Sequence, residues 1–112
     1  MLDFSKHPLN DAEIFQIIPT PWKLLVRFKN WQEKKFQFEF EDVIGYQCFN
    51  PEGQSLSHGT TKENGTFLSM AFKSSGESAI NGYKVYSFVS AWDDAEILSV
   101  VAKTIHLVEL AD

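Results

Sequence analysis

Between residues 36 and 41 the chain reads Phe36-Gln37-Phe38-Glu39-Phe40-Glu41. Three phenylalanines alternate with three polar side chains, the period of a strand, whose successive side chains point to opposite faces. One face of that strand must be buried and the other wet, so the segment requires a sheet with a second layer on its phenylalanine side.

The flanking sequence extends this reading. Trp22–Lys29 is apolar-rich and partly alternating, and the polar stretch Asn30–Lys35 reads as the hairpin connection to the phenylalanine strand. Val43–Phe49 is a third strand, with Gly45 marking a bulge or a close backbone approach. Asn64-Gly65 is a hairpin signal joining Leu56–Lys62 to a strand at Thr66–Lys73, and Asn81-Gly82 is a second such turn after a loop at Ser74–Ala79. Tyr83–Ser90, Glu96–Ala102 and Thr104–Leu110 complete the set, with Asp93-Asp94 as a turn and Lys103 at a bulge, bend or tight turn. One helix is predicted, at the N-terminus. Asn10 and Glu13 form a capping-box-like start, Ile14, Phe15, Ile17 and Ile18 follow at helical spacing, and Pro19 and Pro21 stop it. Short connections imply antiparallel pairing. The expected architecture is mainly β, within the α+β class: one domain over residues 1–112, an antiparallel sheet or β-sandwich of six to seven strands with one short N-terminal helix.

Charge narrows the partners. Ten Lys and Arg against fifteen Asp and Glu give a net charge of −5, and residues 31–112 carry all of the excess. Two runs concentrate it, Glu39-Phe40-Glu41-Asp42 and Asp93-Asp94-Ala95-Glu96. That field repels a polyphosphate and no basic stripe opposes it, so nucleic acid is not an expected partner; a basic protein is easier to accommodate. The apolar runs are far shorter than the roughly 20 residues that span a bilayer, and the start MLDFSKHPLND lacks a basic segment followed by an apolar one. With the single Cys48 unable to form an intramolecular disulfide, a reducing, cytoplasmic setting is expected. Cys48 itself, in Tyr46-Gln47-Cys48-Phe49 with no cation nearby, reads as a buried structural thiol.

Catalytic signatures are missing. No glycine-rich phosphate loop, Gly-x-Ser-x-Gly, His-Glu-x-x-His or Cys-x-x-Cys occurs, so no catalytic residue, metal site or cofactor is expected. His7, His58 and His106 fall on a flexible start, a loop or edge strand, and the solvent face of a strand, without the clustering that zinc requires. Glu39 and Glu41 share one face, a pairing that acid–base or calcium chemistry can use, but alternation with phenylalanine already accounts for them as the wet face of a sheet. Tryptophans remain. Trp22 reads as buried. Trp31, in the polar Lys29-Asn30-Trp31-Gln32-Glu33, and Trp92, directly before Asp93-Asp94, read as candidate aromatic anchors of the kind found at binding hot spots; the sequence alone leaves open whether either is exposed.

Phe38-Glu39-Phe40-Glu41-Asp42-Val43-Ile44-Gly45-Tyr46 and Ala91-Trp92-Asp93-Asp94-Ala95-Glu96-Ile97-Leu98-Ser99-Val100-Val101-Ala102 together resemble the strand patterns of small β-rich bacterial proteins, including immunity proteins that accompany polymorphic or contact-dependent toxins. The resemblance covers those two segments. It implies a non-enzymatic, cytosolic protein that binds a basic, nuclease-like toxin and masks its active site. Acids would steer encounter and buried aromatics would slow release. The implied contact residues are Glu39, Glu41, Asp42, Asp93, Asp94 and Glu96 for charge, with Trp31 and Trp92 as anchors.

Two other classes fit the same residues. Ten phenylalanines can line a pocket for a small apolar ligand between two sheets, although they also simply make a core. An unpaired edge strand can extend a sheet across a symmetric homodimer, the role of a structural or assembly subunit.

Overall fold

The computed structural model describes residues 2–76 and 82–111. Among these residues eight strands form: β1 (Glu13–Thr20), β2 (Lys23–Lys29), β3 (Lys35–Glu41), β4 (Gly45–Cys48), β5 (Leu56–Lys62), β6 (Lys84–Ser90), β7 (Glu96–Ala102) and β8 (Thr104–Glu109). A helix, α1 (Thr66–Ser75), lies between β5 and β6. The β-rich class is as the sequence implies, but the strands build two four-stranded antiparallel sheets, ordered β1-β2-β3-β8 and β4-β7-β6-β5.

A bent two-stranded ribbon joins the sheets. β3 continues into β4 and β7 into β8, so the β3–β8 pair of one sheet becomes the β4–β7 pair of the other. From Glu41 to Gly45 the chain takes four steps, while its partner takes three from Thr104 to Val101. One extra residue therefore sits at the corner, and the bend is a bulge. Asp42, with φ +54, takes the left-handed conformation there, and the Lys103 N–H donates to the Glu41 carbonyl at 3.2 Å. Lys103 is thus the bend of one long strand. At the far end the first residues of β1 meet the approach to β5: Glu13 bridges Ser55, and the Leu56 N–H donates to the Ala12 carbonyl at 2.8 Å.

The core fills the space between the layers. Phe38 and Phe40 of β3 are fully buried, as the alternation requires, and meet Phe88, Leu98 and Val100 of the second sheet. Phe4, on a 3₁₀ turn at Phe4–Lys6, enters from the N-terminus. Its ring makes edge contacts with Phe38, Tyr86 and Phe88 at centroid separations of 5.3, 5.6 and 5.0 Å. Each such ring contributes about 1.5–3 kcal/mol through burial alone. A second core lies on the outer face of the β4–β7 sheet, where Leu68 and Ala71 of α1 cover Tyr83, Val85 and Val101. Gly45 permits that docking, since a Cβ there would stand 3.1 Å from the Ala71 Cβ.

Several sequence expectations are overturned. The N-terminal helix is the strand β1, and its register explains the error: Ile14 pairs with Phe28 and Ile17 with Val26, with a bulge between Ile14 and Gln16. The extra residue stretches the inward spacing from two to three and imitates a helical period. Pro19 is tolerated because β1 is an outer strand. Thr66–Lys73, expected to be a strand, is α1; Gly65 starts a helix rather than a hairpin, and Gly76 at φ +75 closes it. Trp22, expected inside, is 66% exposed, at the tip of the β1–β2 hairpin where Thr20 pairs with Lys23. Cys48, expected to be buried, is exposed because β4 is an outer strand. His7 is not in a loose start: it is half-buried and edge-on to Phe28 and Phe38. The Asn81-Gly82 turn and the end of the preceding loop lie partly outside the described residues.

Candidate functional site

The β6–β7 turn, residues 91–95, is built by side-chain to backbone bonds at both ends. Ser90, itself buried, accepts from the Trp92 N–H through Oγ at 3.2 Å, and Asp93 Oδ1 accepts from the Ala95 N–H at 3.1 Å. Short hydroxyl and carboxylate side chains favour turns for this reason. Asp94 takes φ +56, and the Ser90 N–H closes the loop on the Ala95 carbonyl at 2.8 Å. The Ala91 N–H also donates to the Ser55 carbonyl at 3.0 Å, which ties the turn to the second sheet's other edge. Held on this frame, Trp92 is 85% exposed, and neither Asp93 nor Asp94 has an ion-pair partner among the described residues.

Trp31 occupies the same end of the molecule. It follows Lys29, which pairs with Glu13; Glu13 bridges Ser55, and Ser55 holds Ala91. Trp31 is 66% exposed on the β2–β3 turn, where Asn30 Oδ1 accepts from the Gln32 and Lys34 N–H groups at 2.9 and 3.0 Å. Phe49, also exposed, leaves β4 at this end. The sequence reading missed it; its position one residue past a short outer strand and two before Pro51 is the signal that would have found it.

The other acids stand elsewhere, and Glu39, Glu41 and Glu96 are engaged. Glu39 accepts from Gln37 Nε2 at 2.7 Å, and Gln37, itself buried, accepts from Arg27 Nε at 2.8 Å, a polar row across the outer face of the first sheet. Glu41 faces His106 Nε2 at 3.1 Å. Glu96 pairs with Lys62 at 2.7 Å on the outer face of the second sheet. Asp42 sits in the corner bulge, close to Trp22, whose carbonyl accepts from the Val43 N–H at 3.1 Å. The seven residues of β7 separate the corner from the Asp93-Asp94 turn by roughly 20 Å. The fold thus gathers Trp31, Trp92, Asp93 and Asp94 at one end, leaves Glu41 and Asp42 at the other, and places Glu39 and Glu96 along the faces.

Among the described residues, no three His, Cys, Asp or Glu side chains come together to hold a metal ion, and no helix is long and apolar enough to cross a membrane. Burial lowers the His7 pKa below its ordinary value and raises that of Tyr86. No family model, curated protein or solved structure matches the chain.

Proposed function

We propose that this chain is a non-enzymatic protein-binding module whose Trp92-Asp93-Asp94 turn engages a basic protein, in the manner of an immunity protein masking the active site of a nuclease-like toxin. The observation that carries the reading is a preorganised turn: a tryptophan 85% exposed beside two carboxylates that pair with no cation among the described residues. Holding such an anchor rigid before binding reduces the ordering cost of association. The carboxylates raise encounter rate, and the indole, once desolvated, slows dissociation. Trp31 and Phe49 at the same end extend the apolar part of the contact. Glu41, Glu96 and Glu39 contribute less than their charge suggests, because each already has a partner within the chain. The space between the sheets is filled by phenylalanines, which favours this reading over a ligand held there.

The test starts from tagged protein recovered from its native source in cells expressing the partner. A stoichiometric basic protein that elutes as salt rises is the expected result. The D93N/D94N variant keeps the Oδ1 acceptor and tolerates the left-handed backbone, so the turn survives. It should bind more slowly and with a shallower salt dependence. Trp92→Ala should raise the dissociation rate about 30-fold, the size of a hot-spot loss. A salt slope unchanged by D93N/D94N would refute the assignment.

A further inference from the structure

Beside the corner, the two sheets do not close. β8 pairs with β3 on one side and, among the described residues, with no strand on the other. Its free edge and the facing side of β6 leave a groove of about 630 Å³, lined by Leu2, Lys84, Tyr86, Lys103, Ile105 and Leu107, within the range of small-molecule sites. Ile105 and Leu107 supply an apolar wall, while Thr104 and His106 border it along the strand edge. The His106 imidazole itself is turned to Glu41.

The polar groups here are of one sign. Lys84 and Tyr86 are two residues apart on one face of β6, so an ammonium and a phenol address the same space. Lys103 adds a second cation at the mouth, its Nζ 5.0 Å above the Tyr83 ring. No carboxylate is among the described lining residues, although the chain as a whole carries −5. Among the described residues the Lys84 ammonium has one ion pair, an exposed contact to Glu63 at 3.9 Å, which constrains it little.

Tyr86 shows that the site is built rather than incidental. Only 6% of the residue is exposed, and its ring is fixed by Phe4 and Phe40 at 5.6 and 5.4 Å. Yet its hydroxyl has no hydrogen-bond partner among the described residues. The oxygen is not sealed in the core but opens on the groove, where a bound group can reach it. Burial also raises the phenol pKa, so at neutral pH the group is a protonated donor waiting for an acceptor.

We propose that this groove binds a carboxylate with an apolar tail, its head taken by the Lys84 ammonium and the Tyr86 hydroxyl and its tail laid along Leu2, Ile105 and Leu107. With Lys103 held over the Tyr83 ring, the Lys84 ammonium and a neutral donor face the head position and suit a single negative charge, and the apolar wall requires a hydrocarbon beside it. This activity is separate from the contact at the Trp92 turn, which lies at the other end of the molecule.

Decanoate, decanol and decylammonium can each be titrated into the full chain while amide and methyl NMR signals of Leu2, Ile105 and Leu107 are followed. Decanoate should give saturable shifts at all three, decanol should bind at least tenfold more weakly, and decylammonium should give none. Each methylene added between octanoate and decanoate should tighten binding about fourfold. Tyr86→Phe, which keeps the ring, and Lys84→Met should each weaken decanoate about tenfold or more, the loss of a hydrogen bond to a charged group. Lys34→Met, on the β2–β3 turn, should change nothing. Absence of saturable shifts at the three residues, equal binding of decylammonium, or wild-type affinity in Lys84→Met overturns the proposal. If Tyr86→Phe perturbs the core, the exposed Lys84 carries the test.

Discussion

Gly59 on β5 lies opposite Phe88 and directly beneath the Phe4 ring. A Cβ at that position would stand 2.5 and 2.7 Å from Phe4 Cε2 and Cζ, inside any real contact. The ring cannot yield, because Phe38, Tyr86 and Phe88 hold its other sides. Gly59→Ala should therefore cost about 1–3 kcal/mol, the usual penalty of overpacking. Phe4→Ala should cost about 3–5 kcal/mol through lost burial and the cavity left behind. A chain of this length has roughly 6–17 kcal/mol in total, so both losses are measurable and neither need unfold the protein. The double variant makes the decisive comparison. With the ring gone, the new methyl enters vacated space, and alanine is better than glycine within a strand by about 0.5–1 kcal/mol. Gly59→Ala should then stabilise the Phe4→Ala background, a coupling of about 1.5–4 kcal/mol between the sites. Equilibrium urea denaturation followed by far-ultraviolet circular dichroism, with the slope unchanged across the four proteins, measures it. Additivity within about 0.5 kcal/mol would refute the idea that Gly59 exists to seat Phe4.

Ser87 and Ser99 are both buried on the outer face of the second sheet, with their hydroxyls 2.9 Å apart. Ser87→Ala strands its partner and should cost about 1–3 kcal/mol, whereas replacing both by Ala should be close to neutral; urea melts of the three variants decide it. His7 supplies a pH dependence. Its pKa is lowered by burial against Phe28 and Phe38, so the unfolded chain binds the proton more readily than the folded one. Stability from this group is complete above the ordinary value of 6.5 and declines as pH falls from there toward the lowered folded value. In His7→Phe the loss of melting temperature between pH 7.5 and 5.5 should shrink, and an unchanged loss would assign it to other groups. Trp92→Ala, by contrast, should leave the melting temperature nearly unaltered, since an exposed side chain changes stability by no more than about 0.5 kcal/mol.

How much of the fold can be read from the chain depends on how many sides of each sheet are covered. The first sheet has one wet face, so β2 and β3 alternate openly, with Leu24, Val26 and Phe28 inward and Lys23, Leu25 and Arg27 less buried. The second is covered by the first sheet on one side and, in part, by α1 on the other. Residues 97–102 of β7 are consequently buried without a break, and length and flanking turns locate it better than periodicity. The β1 bulge is the instructive failure. A single inserted residue converted a strand period into a helical one, and Asn10 and Glu13 completed the imitation. At α1 the opposite happened: Asn64-Gly65 looked like a hairpin, and the helical spacing of Phe67, Leu68, Ala71 and Phe72 went unread.

The candidate site divides in the same way. Trp31 and Trp92 could be singled out as contact candidates from their polar or turn-forming neighbours, but only the fold established that both are exposed. Exposure of Trp22 was not legible either, since the two-residue turn that displays it forms only once Thr20 and Lys23 pair. Nor do neighbours in sequence disclose that Glu41 meets His106, that Glu96 meets Lys62, or that Lys84, Tyr86, Ile105 and Leu107 line one groove.

Local chemistry determined what most segments could do on their own: that β2, β3, β6, β7 and β8 are strands, where Pro, Gly and Asp turn the chain, which acids cluster along it, and that the phenylalanine face must be covered. Those properties depend on side-chain size, polarity and backbone preference within a few residues. Tertiary structure decided the rest, because pairing across dozens of residues sets the environment of each group. The corner bulge at Asp42 and Lys103 sends one ribbon into both sheets, the bridge at Glu13 and Ser55 brings Trp31 and Trp92 to one end, and the unpaired edge of β8 opens a groove above a buried tyrosine.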